Sequence, residues 1–204
     1  MIVRILDGLR AAGIQQVLVV TGYLAEAVER VVGDGAPLGL SIVYRRQAKL
    51  DGTARALALA RDWLGEDRFA FAWSDTLVHP SNYARVLAAP GDAVIAVNRV
   101  DDPSAGAAVT VDANWRVLHL VEKPPPGTSV TPWNNTGIGV LGPSIWPVID
   151  ALSVSPRGEY ELPAAIATLV EAGADVRAVP IEGGWFDIGT PEALEAARRS
   201  ILMW

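Results

Sequence analysis

The chain has 204 residues, half of them hydrophobic and 20% charged, with a formal net charge of −6 and no cysteine. That length supplies one domain with a full core, and that composition excludes a disordered chain. The acidic balance disfavours non-specific nucleic-acid binding, and the absence of thiols excludes disulfides, thiolate metal sites and a cysteine nucleophile.

The first residues place Arg4, Asp7 and Arg10 among Ile2, Ile5, Leu6 and Leu9, which is unlike a signal peptide. The apolar ones fall at i, i+3, i+4, i+7, one face of a helix, and Gly13 offers a stop. Residues 16–21 read as a buried strand, 24–32 as a helix, 41–44 as a strand and 53–64 as an alanine-rich helix. Then comes Phe69-Ala70-Phe71-Ala72-Trp73-Ser74-Asp75, a short aromatic run ending in an acid, which suits a buried strand. Strand–helix alternation of this kind predicts a sheet with helices on both faces. Residues 93–97 read as a further buried strand. Residues 107–112 and 115–122 form a strand pair about a tight Asp112-Ala113-Asn114 turn. A proline-rich loop spans 124–132. A strand at 136–141, helices at 143–152 and 161–172, a strand at 176–181 and a closing helix at 191–203 complete the chain. The expectation is one α/β domain over 1–204 with a mixed, mostly parallel sheet. No apolar run has the ~20 residues of a membrane helix. A cytoplasmic protein with no membrane and no nucleic-acid partner follows, and the sequence leaves room for a homo-oligomer.

The chemistry-bearing stretches are individually weak. Asp75 closes a strand, and ligands of open α/β sheets bind beyond the carboxyl ends of strands. It equally suits an N-cap. Between a strand and a helix, Gln47-Ala48-Lys49-Leu50-Asp51-Gly52-Thr53 combines a glycine that allows close backbone approach with the free N–H groups of a helix start. A plain turn reads as well. Glu122-Lys123-Pro124 at a strand end brings an acceptor for hydroxyls and a cation for phosphate, or a solvated pair. Asn134-Asn135-Thr136-Gly137 and Gly158-Glu159 carry amides and an acid suited to a polyol, or ordinary loop chemistry. Gly183-Gly184-Trp185-Phe186-Asp187 brings a second acid before the helix starting at Pro191. His79 and His119 have no partner spacing for zinc.

Their order is more specific than any one of them. Gln-x-x-x-x-Gly-Thr-Ala, a strand ending in Asp, Glu-Lys-Pro, Asn-x-Gly, Gly-Glu-x-Glu-Leu and Trp-x-Asp-Ile-Gly-Thr-Pro, running from about Ile2 to Ala197, resembles the sugar-1-phosphate nucleotidylyltransferases. The resemblance implies a Rossmann-like nucleotidyltransferase domain. Its reaction would be transfer of a nucleotidyl group from a nucleoside triphosphate to a sugar-1-phosphate, with Mg²⁺ as cofactor. It implies Asp75 and Asp187 as metal ligands, Gln47, Gly52 and Thr53 on the nucleotide, and Lys123 beside Asp75 as the catalytic groups. Gly106, Glu122, Asn135, Gly137 and Glu159 would contact the sugar. Two positions depart from the pattern: Ser74 stands where the family has Gly, and Ala105 where it often has Tyr.

The resemblance also implies a first strand and a glycine-rich phosphate loop ahead of the position of Met1. The expectation is a chain that is N-terminally incomplete, poorly stable and without activity as written, unless Arg45, Arg46 or Arg55 grips the triphosphate. The alternative reading is a catalytically dead sugar-nucleotide-binding or regulatory homologue.

Overall fold

The computed structural model describes residues 1–201. The chain opens with helix α1 (Ile2–Ala11), strand β1 (Gln16–Thr21), helix α2 (Ala25–Val32) and strand β2 (Ser41–Arg46). Short helices α3 (Thr53–Ala58) and α4 (Arg61–Leu64) lead to strands β3 (Phe69–Ala72) and β4 (Thr76–Val78). Helix α5 (Ser81–Ala88), strand β5 (Ala93–Arg99), strands β6 (Ala107–Val111) and β7 (Val117–Glu122), and the long strand β8 (Trp133–Leu141) follow. Helices α6 (Ile145–Ala151) and α7 (Leu162–Glu171), strands β9 (Val176–Pro180) and β10 (Trp185–Asp187), and helix α8 (Pro191–Ile201) complete it. The expected end of the last helix, Met203, lies outside the described residues.

The main sheet runs β7-β6-β8-β5-β9, with β3 also on β8. One edge of β8 pairs with β5 along most of its length. The other edge is shared: Asn134 pairs with Ala108 of β6, and Ile138 to Leu141 pair with β3. The ladders β1–β2 and β5–β9 are parallel, and those of β3, β5 and β6 with β8 are antiparallel. The sheet is therefore mixed, but the parallel share is smaller than the strand–helix alternation predicts. Alternation reveals that crossovers exist. It does not reveal that β8 returns through the middle and takes three neighbours.

Strand β5 shows why residues 93–97 form a continuous apolar run. Ala93, Ile95 and Val97 pack with Phe69, Leu141, Trp146 and Ile166, while Val94 and Ala96 face Ile5, Tyr83, Val86 and Val140. A strand buried on both faces has no polar side. The hairpin turn is held by Asp112, whose Oδ1 accepts from the N–H of Asn114 at 2.8 Å and of Arg116 at 2.9 Å. The expected helix 53–64 breaks at Leu59–Ala60, where the N–H groups turn back to Ala56 and Leu57. The expected strand 69–75 ends at Ala72. Trp73 adds one more bond, N–H to Gly137 O at 2.8 Å, and the chain then leaves for β4.

Strands β1 and β2 form a ladder of their own. Val17 to Val20 and Phe69 to Ala72 line one slot, with Ile2, Ile5, Leu6 and Leu9 of α1 and Ala56, Leu57 and Ala60 beside it. Among the described residues, the edge of β3 away from β8 has no strand partner.

Helix α1 meets α5 through Gly8. A Cβ built there would lie 2.6 Å from Cδ2 of Tyr83, a side chain that is only 2% exposed. Gly8→Ala gains roughly 1 kcal/mol of helix propensity, but overpacking a filled core costs about 1–3 kcal/mol. The expected result is a net loss of about 1 kcal/mol, read as a lower urea midpoint at unchanged slope.

Candidate functional site

The sheet and its loops enclose a cavity of about 1150 Å³ that continues from the slot to the loops beyond β3 and β7 and the first half of β8. Asp75 and Asp187 come together on its wall. The short ribbon β4–β10 sets Asp187 opposite Thr76, and the N–H of Ile188 donates to the backbone oxygen of Asp75 at 2.8 Å. Burial, and then the charge of Asp75, push the Asp187 carboxyl above its ordinary range, and the Lys123 cation opposes them. Among the described residues there is no cluster of three or more acids and histidines with metal-ligand geometry. A carboxylate pair of this kind suits a hard divalent cation whose remaining ligands are water and substrate phosphate, as Mg²⁺ prefers.

Lys123 sits directly after β7, and its N–H is held by Gly106 O at 2.8 Å. Its φ is +43°, left-handed backbone for a residue that also precedes a proline. Strain of this kind persists where surrounding structure over-determines it.

Glu122 ends β7 and is clamped by Arg157, Nη2 to Oε1 at 3.2 Å. The same guanidinium holds Glu161 at 2.7 Å, and the Ser155 hydroxyl donates to Glu161 at 2.8 Å. Burial first, and then the charge of Glu161, push the Glu122 carboxyl up, against Arg157 and Lys123. Sequence reasoning missed Arg157. It stands immediately before the Gly158-Glu159 pair, in reach of the same motif.

Several enclosed polar atoms in the cavity-lining residues have no protein partner: Oε2 of Glu122, Oδ1 of Asn134, Nδ2 of Asn135 and the indole Nε1 of Trp73 and Trp185. Buried polar groups in folded proteins are normally paired.

The expected residues divide. Thr53, Asp75, Gly106, Glu122, Lys123, Asn135, Glu159 and Asp187 line the cavity, while Gln47, Gly52 and Gly137 do not. The three glycines serve protein contacts. A Cβ on Gly137, where φ is +79°, would overlap the Trp73 ring, so the indole covers that position and lines the cavity in its place. A Cβ on Gly106 would overlap Oδ1 of Asn134. Gly52, at φ +118°, is pressed against the backbone of Tyr160, 2.6 Å from its nitrogen to the built Cβ. The first turn of α3 is likewise engaged: Ala54 N–H donates to Tyr160 O at 2.9 Å, and the Thr53 hydroxyl accepts from Leu162 N–H at 2.9 Å. Gln47 closes its own loop, Nε2 donating to Gly52 O at 3.1 Å. Arg46 pairs with Glu26 at 2.6 Å, Arg55 lies 4.2 Å over the Tyr160 ring, and none of Arg45, Arg46 and Arg55 lines the cavity.

Comparison with known proteins bears on the family and the fold. A glucose-1-phosphate thymidylyltransferase of Streptomyces griseus is 34% identical over 200 residues, and the match covers 97% of this chain and 56% of that protein. The Streptomyces antibioticus enzyme of the same name is also 34% identical, again over 56% of its length, so the chain spans little more than half of these relatives. Among solved structures, a Bacillus anthracis chain assigned to the glucose-1-phosphate thymidylyltransferases and crystallised with sucrose superposes with a TM-score of 0.85. It is 25% identical, and the match covers 97% of this chain and 80% of that one. A UDP-glucose pyrophosphorylase bound to UDP-glucose superposes at 0.84 over 100% of this chain and 87% of its own, with 18% identity, a likeness of fold. No helix among the described residues is long and apolar enough to cross a membrane. The nucleotidyl transferase family model matches residues 1–203, and the chain belongs to that family.

Proposed function

We propose that this domain carries out nucleotidyl transfer from a nucleoside triphosphate to a sugar-1-phosphate. An oxygen of the sugar phosphate attacks the α-phosphorus, the bond to the β-phosphate oxygen breaks, and NDP-sugar and pyrophosphate leave. The observation that carries the reading is the Asp75–Asp187 pair beside Lys123, in one cavity with Glu122 and Arg157. Both reactants are anions, so positioning and charge compensation dominate such chemistry. Lys123 faces the sugar phosphate and offsets its charge. Glu122, oriented by Arg157, accepts a sugar hydroxyl, and the amides of Asn134 and Asn135 take others. Trp73 and Trp185 supply apolar surface. When bound on Asp75 and Asp187, Mg²⁺ supplies Lewis-acid polarisation of the phosphate and neutralises its charge. A nucleoside triphosphate substrate places the protein in the cytoplasm.

The relatives' activity makes dTTP and glucose 1-phosphate the first pair to assay, with UTP alongside. The triphosphate lacks a grip of its own among Arg45, Arg46 and Arg55. We therefore infer that an extended apolar strand with a glycine-rich turn fills the slot between β1 and β3 and completes the site. Unpaired backbone groups cost about 1–3 kcal/mol each, against a net stability of about 5–15 kcal/mol. Pyrophosphate release with Mg²⁺ is expected to be at background for residues 1–204 alone. It should appear, together with a higher melting temperature, when such a segment is fused ahead of Met1. Full activity without it would overturn the slot assignment.

The carboxylate pair has its own signature. Because the folded-state pKa of Asp187 is raised, its ionised form costs stability at neutral pH. That cost fades as pH falls through the raised value into the ordinary carboxylate range, where folded and unfolded chains are both protonated. Asp187→Asn should therefore raise the metal-free melting temperature at pH 7, by an amount that shrinks toward pH ~4. It should also abolish the further rise on adding Mg²⁺.

Lys123 separates strain from chemistry. Lys123→Gly relieves the left-handed backbone and should stabilise the fold by about 1 kcal/mol. Lys123→Ala keeps the strain and should leave the urea midpoint nearly unchanged. In the completed enzyme both should lose roughly 10²–10³-fold in kcat, the scale of deleting one group that stabilises developing charge.

A further inference from the structure

Asp187 is carried by a ribbon of only three residue pairs, Trp185–Asp187 against Thr76–Val78. Two-stranded ribbons are marginal by themselves, and their register is weakly specified where little packing decides it. Alternation sets the faces: Trp185 and Asp187 line the cavity, and Phe186 packs with Leu77, Tyr83 and Val86. A slip of one residue would exchange those faces and bury the acid. A slip of two keeps them, with Ile188 in place of Phe186, and carries the carboxylate about 6–7 Å along the strand. A cation that takes its oxygens at about 2.0–2.6 Å could then no longer share Asp75 and Asp187. The apolar pattern resists the first slip and tolerates the second.

The group that opposes the second slip lies outside the cavity. Asn82, in the first turn of α5, is polar and only 1% exposed. Its Nδ2 donates to Glu182 O at 2.8 Å and to His79 O at 3.0 Å. Its Oδ1 accepts from Glu182 N–H at 2.9 Å and from Arg85 Nη1 at 3.2 Å. Every donor and lone pair of the amide is thus used, and the flipped amide would set its oxygen against two carbonyls. The amide holds both the N–H and the C=O of Glu182, as a neighbouring strand would. On the other side of Glu182 the chain is tied to β5, Ile181 N–H donating to Val97 O at 2.9 Å. From Glu182 only Gly183 and Gly184 lead to Trp185, and His79 N–H donates to Gly184 O at 3.2 Å. Asn82 therefore grips both sides of the turn: His79, directly after β4, and Glu182, just before β10.

We propose that Asn82 is a positioning residue for the aspartate pair: its amide stands in for a strand against Glu182 and sets the β4–β10 register that brings Asp187 to Asp75. A buried amide with all its partners specifies one arrangement, because any shift of Glu182 leaves several buried polar groups unpaired at once. The proposal rests on the reading of Asp75 and Asp187 as a cation site and adds to it the group that holds the two acids in register.

Binding of Mn²⁺ alone to the full chain tests it, followed by electron paramagnetic resonance of the free ion at a temperature where each protein keeps its full far-UV signal. The unsubstituted chain should bind Mn²⁺, and Asp187→Asn should abolish binding. Asn82→Ala should weaken it roughly 10–100-fold, the scale of losing a group that orients a metal ligand. A glycine inserted between Glu182 and Gly183, both exposed, leaves the Asn82 bonds in place and frees the ribbon. It should cost as much, and it covers the case in which Asn82→Ala fails to fold. Arg85→Ala removes the ion pair to Glu182 at 3.2 Å but keeps the amide's bonds to Glu182, and should leave the affinity unchanged. A purely structural role would lower the melting temperature of Asn82→Ala without moving the Mn²⁺ affinity of the folded protein; that result overturns the proposal and leaves the cation reading intact. Full affinity in the insertion variant does the same, as does a loss in Arg85→Ala equal to that in Asn82→Ala, which would give the register to the ion pair. Amide exchange in the unsubstituted chain needs no variant: the Glu182 and Ile188 N–H groups should exchange at like rates, because clamp and ribbon open together, and exchange at Glu182 more than about tenfold faster overturns the proposal. No Mn²⁺ binding by the unsubstituted chain, or binding that survives Asp187→Asn, overturns the cation reading, and the proposal with it.

Discussion

Strand β8 has two edges and serves three neighbours. It gives one edge to β5 and divides the other between β6 and β3. Between Asn134, the last residue opposite β6, and Ile138, the first opposite β3, that edge has no strand partner among the described residues and takes only the Trp73 N–H on Gly137 O. Asn135, Thr136 and Gly137 occupy the interval. The ends of β3 and β7 and the start of β6 converge on it, bringing Trp73 and Asp75, Lys123 and Gly106 to one place. Ligand sites of α/β sheets lie where strand order changes direction and the connections diverge. Here the divergence comes from one strand changing partners along its length.

The charges at the fork do not balance within the protein. Asp75, Asp187, Glu122 and Glu159 line the cavity, against Lys123 and Arg157 at the same end. Arg157 is shared between Glu122 and Glu161, which leaves Lys123 facing the aspartate pair. An acidic, partly desolvated wall is costly to an empty protein and favourable to a cation arriving with phosphates. The left-handed backbone of Lys123 belongs to the same economy. The Lys123–Gly106 bond and Pro124 fix the turn that keeps the ammonium at the site, and the fold carries the strain.

The glycines refine what a motif means. Gly52, Gly106 and Gly137 stand in stretches that suggest ligand contact. Each is required because a protein group occupies the space of a Cβ: the Tyr160 backbone, the Asn134 amide and the Trp73 indole. A glycine beside a site thus reports close packing of the protein group that fills the space of its missing side chain. At Gly137 that group is Trp73, an aromatic surface in the cavity.

Much of the fold is legible in the residues themselves. The apolar period of α1, the unbroken run of β5, the Asp112 turn and the acid ending an aromatic strand follow from local chemistry, because side-chain period and backbone preference act over a few positions. The order of the motifs makes the family legible as well. What only the tertiary structure decided are the partners. No local signal in Trp133–Leu141 says that this strand will take three neighbours, nor that all three will be antiparallel. The sequence around Arg157 shows an ordinary loop. Its pairing with Glu122, 35 positions away, exists only because β7 and the 155–162 loop are folded against one another. The meeting of Asp75 with Asp187 was inferable from motif order alone. The desolvation that raises the proton affinity of Asp187 was not, because burial and electrostatic field are sums over everything nearby in space, and sequence distance carries almost none of that sum.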